Sequence, residues 1–199
     1  MRTTSIILIF LAVTLSAVGQ DVWEKEMNEN GIQAYSRMKK GKDYYEFRTV
    51  FTTESTLYKA KKLITNIEGM KKWLPSTLES KLLKKVSDTE FYGYTVSDAP
   101  WPASDRDLVF KMTVKRHSSK SYTITLKGEP DYHPIQSDYV RVLEYVAVWK
   151  IDVVGENLIE IDYTASFNPG STYPNWLIKN SMIEARMETS LNFRKQLEK

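Results

Sequence analysis

One arginine stands where its charge needs an explanation. Arg106 follows the proline-containing segment 99–105 and begins a strand pattern. On a regular strand its side chain shares the face of Leu108 and Phe110, so it points toward the apolar interior. A guanidinium in that position needs a counterion or a ligand. Two interpretations stay open for Arg106: a structural ion pair with Asp105, Asp107 or an acid of a neighbouring strand, or a polar anchor at the end of a hydrophobic pocket.

A second arginine lies in the segment 139–149, which is apolar on both faces and whose only charges are Arg141 and Glu144. This pattern predicts a central strand that is covered on both sides. Arg141 falls in the same row as Tyr145 and Trp149, so the row mixes small and large side chains beneath one cation. Pocket lining and ordinary core packing are both compatible with this row.

Signatures of catalysis are missing from the sequence. It contains no Gly-x-Ser-x-Gly elbow, His-Glu-x-x-His pair, P-loop or Gly-x-Gly-x-x-Gly turn, and it has no cysteine. Four possible metal ligands, Glu129, Asp131, His133 and Asp138, lie in an irregular loop without ligand spacing. We therefore expect no catalytic residue, no metal and no cofactor.

The composition is that of an ordinary globular protein. Of 199 residues, 42% are hydrophobic and 27% are charged, and the net charge is only +3. Such a small positive charge does not provide the phosphate-neutralising surface of a nucleic-acid binder. Because there is no cysteine, the fold must be held by its core and not by disulfides.

The first 19 residues read as a signal peptide. An apolar stretch at 6–15 is too short to span a bilayer, and Ala17 and Gly19 fit the small-x-small rule for cleavage. We expect an exported protein of bacterial origin, periplasmic or extracellular, whose mature domain comprises residues 20–199.

Hydrophobic periodicity divides this domain into helices and strands. The predicted elements are a short helix at 21–28, strands at 32–38 and 44–52, helices from Ser55 and at 69–73, strands at 78–86, 90–96, 107–116, 121–127, 139–153 and 158–167, and a helix after Pro174. The last helix carries Trp176, Ile183, Met187 and Leu191 on one stripe, so it should cover one face of the sheet.

Several of these segments, read together, resemble the START (StAR-related lipid-transfer) domain family. The matching segments are Trp23, Gly31-Ile32, Trp73-Leu74-Pro75, Pro100-Trp101-Pro102, Asp105-Arg106-Asp107, Val140-Arg141, Asn168-Pro169-Gly170 and Pro174-Asn175-Trp176. The resemblance implies an α+β helix-grip fold, in which a curved antiparallel sheet wraps around a long C-terminal helix and encloses a hydrophobic cavity.

The resemblance also implies a function: binding, and transfer between membranes, of a lipid or another hydrophobic small molecule without catalysis. The candidate ligand contacts are aromatic residues and two arginines, namely Arg106, Arg141, Trp73, Tyr92, Tyr94, Trp101, Tyr145, Trp149 and Trp176. We expect a monomer that touches membranes transiently through the lysine clusters 39–42, 59–62, 71–72 and 84–85. Two alternatives stay open: a protein-interaction module with a filled core, and an enzyme acting on a hydrophobic substrate.

Overall fold

The computed structural model describes residues 22–99, 103–168 and 175–199, with only the backbone of 175–177. The expected signal peptide lies outside this part of the chain. The described elements are β1 (Glu24–Glu29), β2 (Ile32–Met38), β3 (Tyr45–Glu54), α1 (Leu57–Thr65), β4 (Thr77–Lys85), β5 (Glu90–Ser97), β6 (Arg106–Ser118), β7 (Ser121–Gly128), β8 (Val140–Arg141), β9 (Tyr145–Gly155), β10 (Leu158–Phe167) and α2 (Asn175–Leu197), with 3₁₀ turns at Ile67–Lys72 and Pro130–Tyr132.

The strands form one curved sheet in the order β1-β2-β3-β10-β9-β7-β6-β5-β4. All neighbours along this path are antiparallel, and the two-residue strand β8 adds a short parallel pairing to β6. The predicted α+β architecture of a curved antiparallel sheet with a long C-terminal helix is therefore confirmed.

Alternate residues of each strand point to one face of the sheet, here called the inner face, and most of these residues are apolar. The predicted rows on β6, β7 and β10 all belong to the main core, whose least exposed members include Phe110, Met112, Ile124, Ile161 and Tyr163. Gly93 on β5 leaves room for this packing, since a Cβ there would overlap the Phe110 ring.

Helix α2 packs on β2 and β3 and contacts α1. Its buried residues Ile183, Phe193 and Leu197 face the inner side of the sheet. A buried hydrogen bond of 2.7 Å joins the hydroxyls of Thr49 on β3 and Ser190 on α2. This contact fixes the helix against one half of the sheet, in addition to the apolar packing.

The N-terminal part of α2 is held by charge. The Lys179 ammonium lies 2.6 Å from a Glu26 carboxylate oxygen on β1. Burial raises the pKa of Glu26, but the hydrogen bonds from Lys179 and Ser36 and the lysine charge outweigh it, so the pKa is lowered. The carboxylate therefore stays ionised and ties the sheet edge to the helix.

The predicted helix at 21–28 is wrong, because residues Glu24–Glu29 form strand β1. Asn30 and Gly31 both adopt positive φ, 52° and 71°, and close a tight hairpin between β1 and β2. An Asn-Gly pair is the usual signal for such a turn. The pairing with β2 decides the conformation of this short polar segment and overrides the helical preference of its Glu, Lys and Met residues.

The predicted strand at 139–153 is also wrong in its extent. Val140–Arg141 pair with β6, whereas β9 begins at Tyr145 and pairs with β7 and β10. The apolar pattern on both faces came from joining two segments with different partners. Arg141 and Tyr145 thus do not share a strand.

Candidate ligand-binding site

Four aromatic rings form the centre of the inner face. Trp149 stacks on Tyr163 with 3.9 Å between ring centroids and an interplanar angle of 18°. Phe193 of α2 lies 4.8 Å from Trp149, and Trp73 meets Trp149 edge-on at 5.8 Å. Each ring is at most 2% exposed. Of the predicted contacts, the structure thus brings Trp73 and Trp149 together on the inner face.

Two polar side chains, Tyr145 and Arg186, lie beside these rings. Tyr145 packs against the main core near Tyr163, and Arg186 of α2 places its guanidinium carbon 6.0 Å from the Tyr163 ring centroid. Burial raises the pKa of Tyr145, and the Tyr163 hydroxyl adds to the rise, while the nearby Arg186 cation opposes it. Tyr145 therefore keeps its proton and can donate a hydrogen bond.

Two N–H donors beside this aromatic cluster have no acceptor. Among the described residues, the Trp73 indole nitrogen Nε1 and the Arg186 guanidinium nitrogen Nε are both shielded from solvent and lack a hydrogen-bond partner. Buried donors are almost always paired, and leaving one unpaired costs about 1–3 kcal/mol. An unpaired donor therefore marks a place where another molecule could supply the acceptor.

Arg141 lies elsewhere, in a closed network on the outer face of the sheet. Its Nε and Nη2 atoms donate to the Asp107 carboxylate at 2.9 and 2.8 Å. The remaining N–H groups donate to the backbone carbonyls of Pro130, His133 and Pro134. All five donors of the guanidinium are thus satisfied within the protein.

Tyr92 and Tyr94 also face outward. They alternate along β5 with Phe91 and Gly93, which contact the main core. Tyr94 joins a separate small apolar cluster, and burial together with the Asp107 charge raises its pKa to about 12. Tyr92 stacks on Tyr132 with 3.7 Å between centroids. The structure therefore separates both tyrosines from the inner-face aromatic cluster.

Arg106 is half-buried at the start of β6, where its guanidinium donates to the Ser104 carbonyl. By strand alternation it lies on the side of Leu108, which packs against the main core. One of its possible partners, Asp107, is bound to Arg141. The other two candidates, Trp101 and the Trp176 side chain, lie outside the described residues.

Sequence reasoning missed Arg186. The inward stripe of α2 contains the buried residues Ile183, Ser190, Phe193 and Leu197, and the half-buried Arg186 continues it at steps of three and four residues. That spacing is typical of one helix face. A cation at an apolar position of this stripe is the signal that could have found the residue.

Other kinds of site receive no support from the described part of the chain. No group of His, Cys, Asp or Glu side chains there could hold a metal ion. Within the same ranges, no helix has the length and the apolar character that a bilayer crossing requires.

Comparison with known families gives a match along most of the sequence. The family model described as START domain matches residues 11–199. An uncharacterized protein of Pseudomonas aeruginosa is 27% identical over 199 residues, covering 100% of this chain and 98% of that protein.

Solved structures share the fold. A STAR-related lipid transfer protein fragment from Xanthomonas axonopodis is 28% identical with a TM-score of 0.81, covering 89% of this chain and 99% of that one. Human StAR-related lipid transfer protein 5 has a TM-score of 0.80 at 14% identity, covering 92% and 88%. An aromatase/cyclase from a Streptomyces species has a TM-score of 0.55 at 7% identity, covering 76% and 90%.

Proposed function

Because the chain belongs to the START domain family, we propose that it binds a lipid or another hydrophobic small molecule between the inner face of its sheet and helix α2. The similar Xanthomonas protein is described as a lipid transfer protein, which supports this class of ligand. The observation that carries the proposal is the inner face itself, an apolar and aromatic surface on which the Trp73 N–H is buried without an acceptor.

The driving force for such binding is burial of apolar ligand surface, at roughly 25 cal/mol per Å². A few polar groups on an apolar wall then fix the orientation of the ligand. Trp73, Trp149 and Tyr145 are the expected residues that meet this description, since all three lie in or against the main core. Arg106 stays a candidate for the edge of the site.

We propose a non-catalytic role, that of a carrier between membranes. The aromatase/cyclase has the same fold at 7% identity, which shows the fold alone, so an enzymatic reaction is the alternative that ligand analysis must test. A protein-interaction module with a filled core is the other alternative.

Thermal unfolding in the presence of single lipids tests the binding proposal. A ligand at about 100 times its Kd stabilises the native state by about 2.7 kcal/mol, which corresponds to a Tm rise of roughly 5–11 °C for a domain of this size. Trp73→Phe removes the unpaired N–H and should reduce the rise, whereas Tyr92→Phe on the outer face should leave it unchanged. Absence of a rise with every lipid would favour the interaction module.

Membrane contact is proposed for the exposed side of α1. Tyr58 is 71% exposed there, and the Lys62 ammonium lies 6.0 Å from its ring centroid. With Lys59, this surface could bind anionic head groups at about 1 kcal/mol per charge. Lys59→Glu combined with Lys62→Glu should weaken salt-dependent binding to anionic vesicles and slow lipid transfer between them. Binding that ignores anionic lipid and salt would remove this part of the proposal.

Export is proposed from the N-terminal sequence. Expressed from its full gene in a bacterium, the protein should be recovered outside the cytoplasm with Gln20 as its first residue. N-terminal sequencing of each cell fraction measures this, and an intact Met1 in the cytoplasmic fraction would contradict it.

A further inference from the structure

We infer that Arg186 anchors a carboxylate, and that the ligand is therefore an amphipathic acid with an apolar tail. The inference rests on the proposed function, because it names the head group of the molecule bound at the inner face. It concerns a residue of α2 that the sequence patterns did not single out.

The inference starts from the state of the Arg186 guanidinium. Its Nε–H is buried and has no acceptor among the described residues. No ion pair between described residues includes it. Arg186 as a whole is half-buried, but a shielded N–H of a charged group without an acceptor is unfavourable, so a ligand that brings a negatively charged acceptor would complete the site.

The other described arginines differ from Arg186 in this respect. Each of them donates to an oxygen of the protein: Arg37 to Glu46, Arg48 to Asp162, Arg106 to the Ser104 carbonyl, Arg116 to the Ser118 carbonyl, Arg141 to Asp107 and Arg194 to the Asn30 carbonyl. The lack of an oxygen partner is thus particular to the arginine that faces the aromatic cluster.

The neighbouring groups suit an acidic head with an apolar tail. The Arg186 guanidinium lies against the Tyr163 ring and acts on the neighbouring Tyr145 phenol, whose raised pKa keeps it protonated. Trp149 stacks on Tyr163, and Phe193 packs against Trp149 at a tilt, so the rings continue from Tyr163 as an apolar wall. The cation and the phenols therefore lie at one end of a surface that can take the tail.

A carboxylate is the head group that this site fits best. One guanidinium supplies one positive charge, which a single carboxylate neutralises, and its planar N–H edge matches two carboxylate oxygens. A phosphate monoester carries close to two charges at neutral pH and would need a further cation.

Two probes with the same tail separate the head group from the tail. We would titrate the purified chain with oleate and with oleyl alcohol. The wild type should bind oleate roughly ten- to a hundredfold more tightly, as expected for a charge-assisted hydrogen bond in a shielded site. Arg186→Gln should remove this preference and leave oleyl alcohol binding unchanged, whereas Arg194→Gln on the same helix should retain it.

The outcomes distinguish the carboxylate inference from the proposed ligand-binding function. Equal binding of both probes by the wild type, or an oleate preference that survives Arg186→Gln, overturns the carboxylate inference and leaves the proposed function standing. Failure of the wild type to bind either probe counts against both the carboxylate inference and the proposed function. Tm measurements with two-chain lipids and sterols then test the proposed function separately, and a Tm rise with one of them would retain it.

A measurement on the wild type removes any dependence on folding of the variant. With oleate labelled with ¹³C at the carboxyl carbon, NMR follows ionisation of the bound head group. A cation at this position should hold the pKa of bound oleate below that of the same probe in a neutral apolar site. A pKa raised well above that of an ordinary carboxylic acid would overturn the inference.

Discussion

Replacing Arg141 by methionine should destabilise the fold strongly without removing ligand binding by the molecules that remain folded. The side chain of Asp107 is 0% exposed, and its carboxylate receives two hydrogen bonds from Arg141. Methionine has a similar length, so it fills the space but offers no donor. The variant therefore buries a carboxylate without its counter-charge.

The size of the effect follows from this burial. Breaking a buried ion pair by removing one partner costs about 3–5 kcal/mol. For a domain of this size each kcal/mol lowers Tm by about 2–4 °C, so the Tm of Arg141→Met should fall by about 6–20 °C. Asp107→Leu combined with Arg141→Met removes both charges and should recover most of this loss.

Circular dichroism during heating measures Tm, and ligand titration well below that temperature measures the binding of the folded variant. Arg106→Gln is the matched control for the Tm measurement, because among the described residues this half-buried arginine donates to a carbonyl and forms no ion pair, so its loss should change Tm by little. The reasoning is refuted if Arg141→Met keeps the wild-type Tm and loses ligand binding, since that result would make Arg141 a ligand contact.

Three further outcomes are expected. Trp149→Ala should lower the free energy of unfolding by about 3–5 kcal/mol in urea, and a loss below about 1 kcal/mol would contradict the stacked arrangement. Burial raises the pKa of Glu26, but Lys179 more than offsets this, so the folded pKa lies below the unfolded value and the stabilisation is lost as pH falls through the folded pKa. Lowering the pH from about 6 to about 3 should therefore reduce the free energy of unfolding in urea more for the wild type than for Glu26→Gln. Parallel pH curves for the two proteins would count against the Glu26–Lys179 pair. Thr49→Val leaves the buried Ser190 hydroxyl unpaired and should cost about 1–3 kcal/mol in the same assay, whereas an unchanged urea midpoint would mean that this bond does not hold α2.

Long strands were predictable because their alternation is local. In β6, β7 and β10 every second residue is apolar, because one face of each strand packs against the core. The stripe on α2 follows from helix periodicity in the same way. These patterns need no knowledge of the partner strand, so sequence alone is sufficient for them.

Pairing between distant segments was not predictable in this way. Strand β1 has a polar sequence, and its conformation comes from hydrogen bonds to β2. Strand β8 is only two residues long, and the ion pair that holds it joins Arg141 to Asp107 across the chain. The Asn-Gly turn signal after β1 indicates that strand, whereas β8 depends on tertiary contacts alone.

The residues of the candidate site were likewise only partly predictable from the sequence. Aromatic residues could be selected from composition, but not the face that each of them occupies, so Tyr92 and Tyr94 were grouped with Trp149 although the structure turns them outward. Arg186 could not be assigned to the site from sequence, because the rotation of α2 decides whether this cation faces the sheet or solvent. Both errors arise because a side chain's face depends on strand register and helix rotation, which the packed structure sets.

Native mass spectrometry of the protein, purified without detergent, tests the central claim most directly. The account predicts a discrete mass added to the polypeptide, and organic extraction should release it as an amphipathic hydrophobic molecule. The adduct should be retained in Tyr92→Phe and reduced in Trp73→Phe. A bare polypeptide, still bare after incubation with a membrane lipid extract, would contradict ligand binding at the inner face.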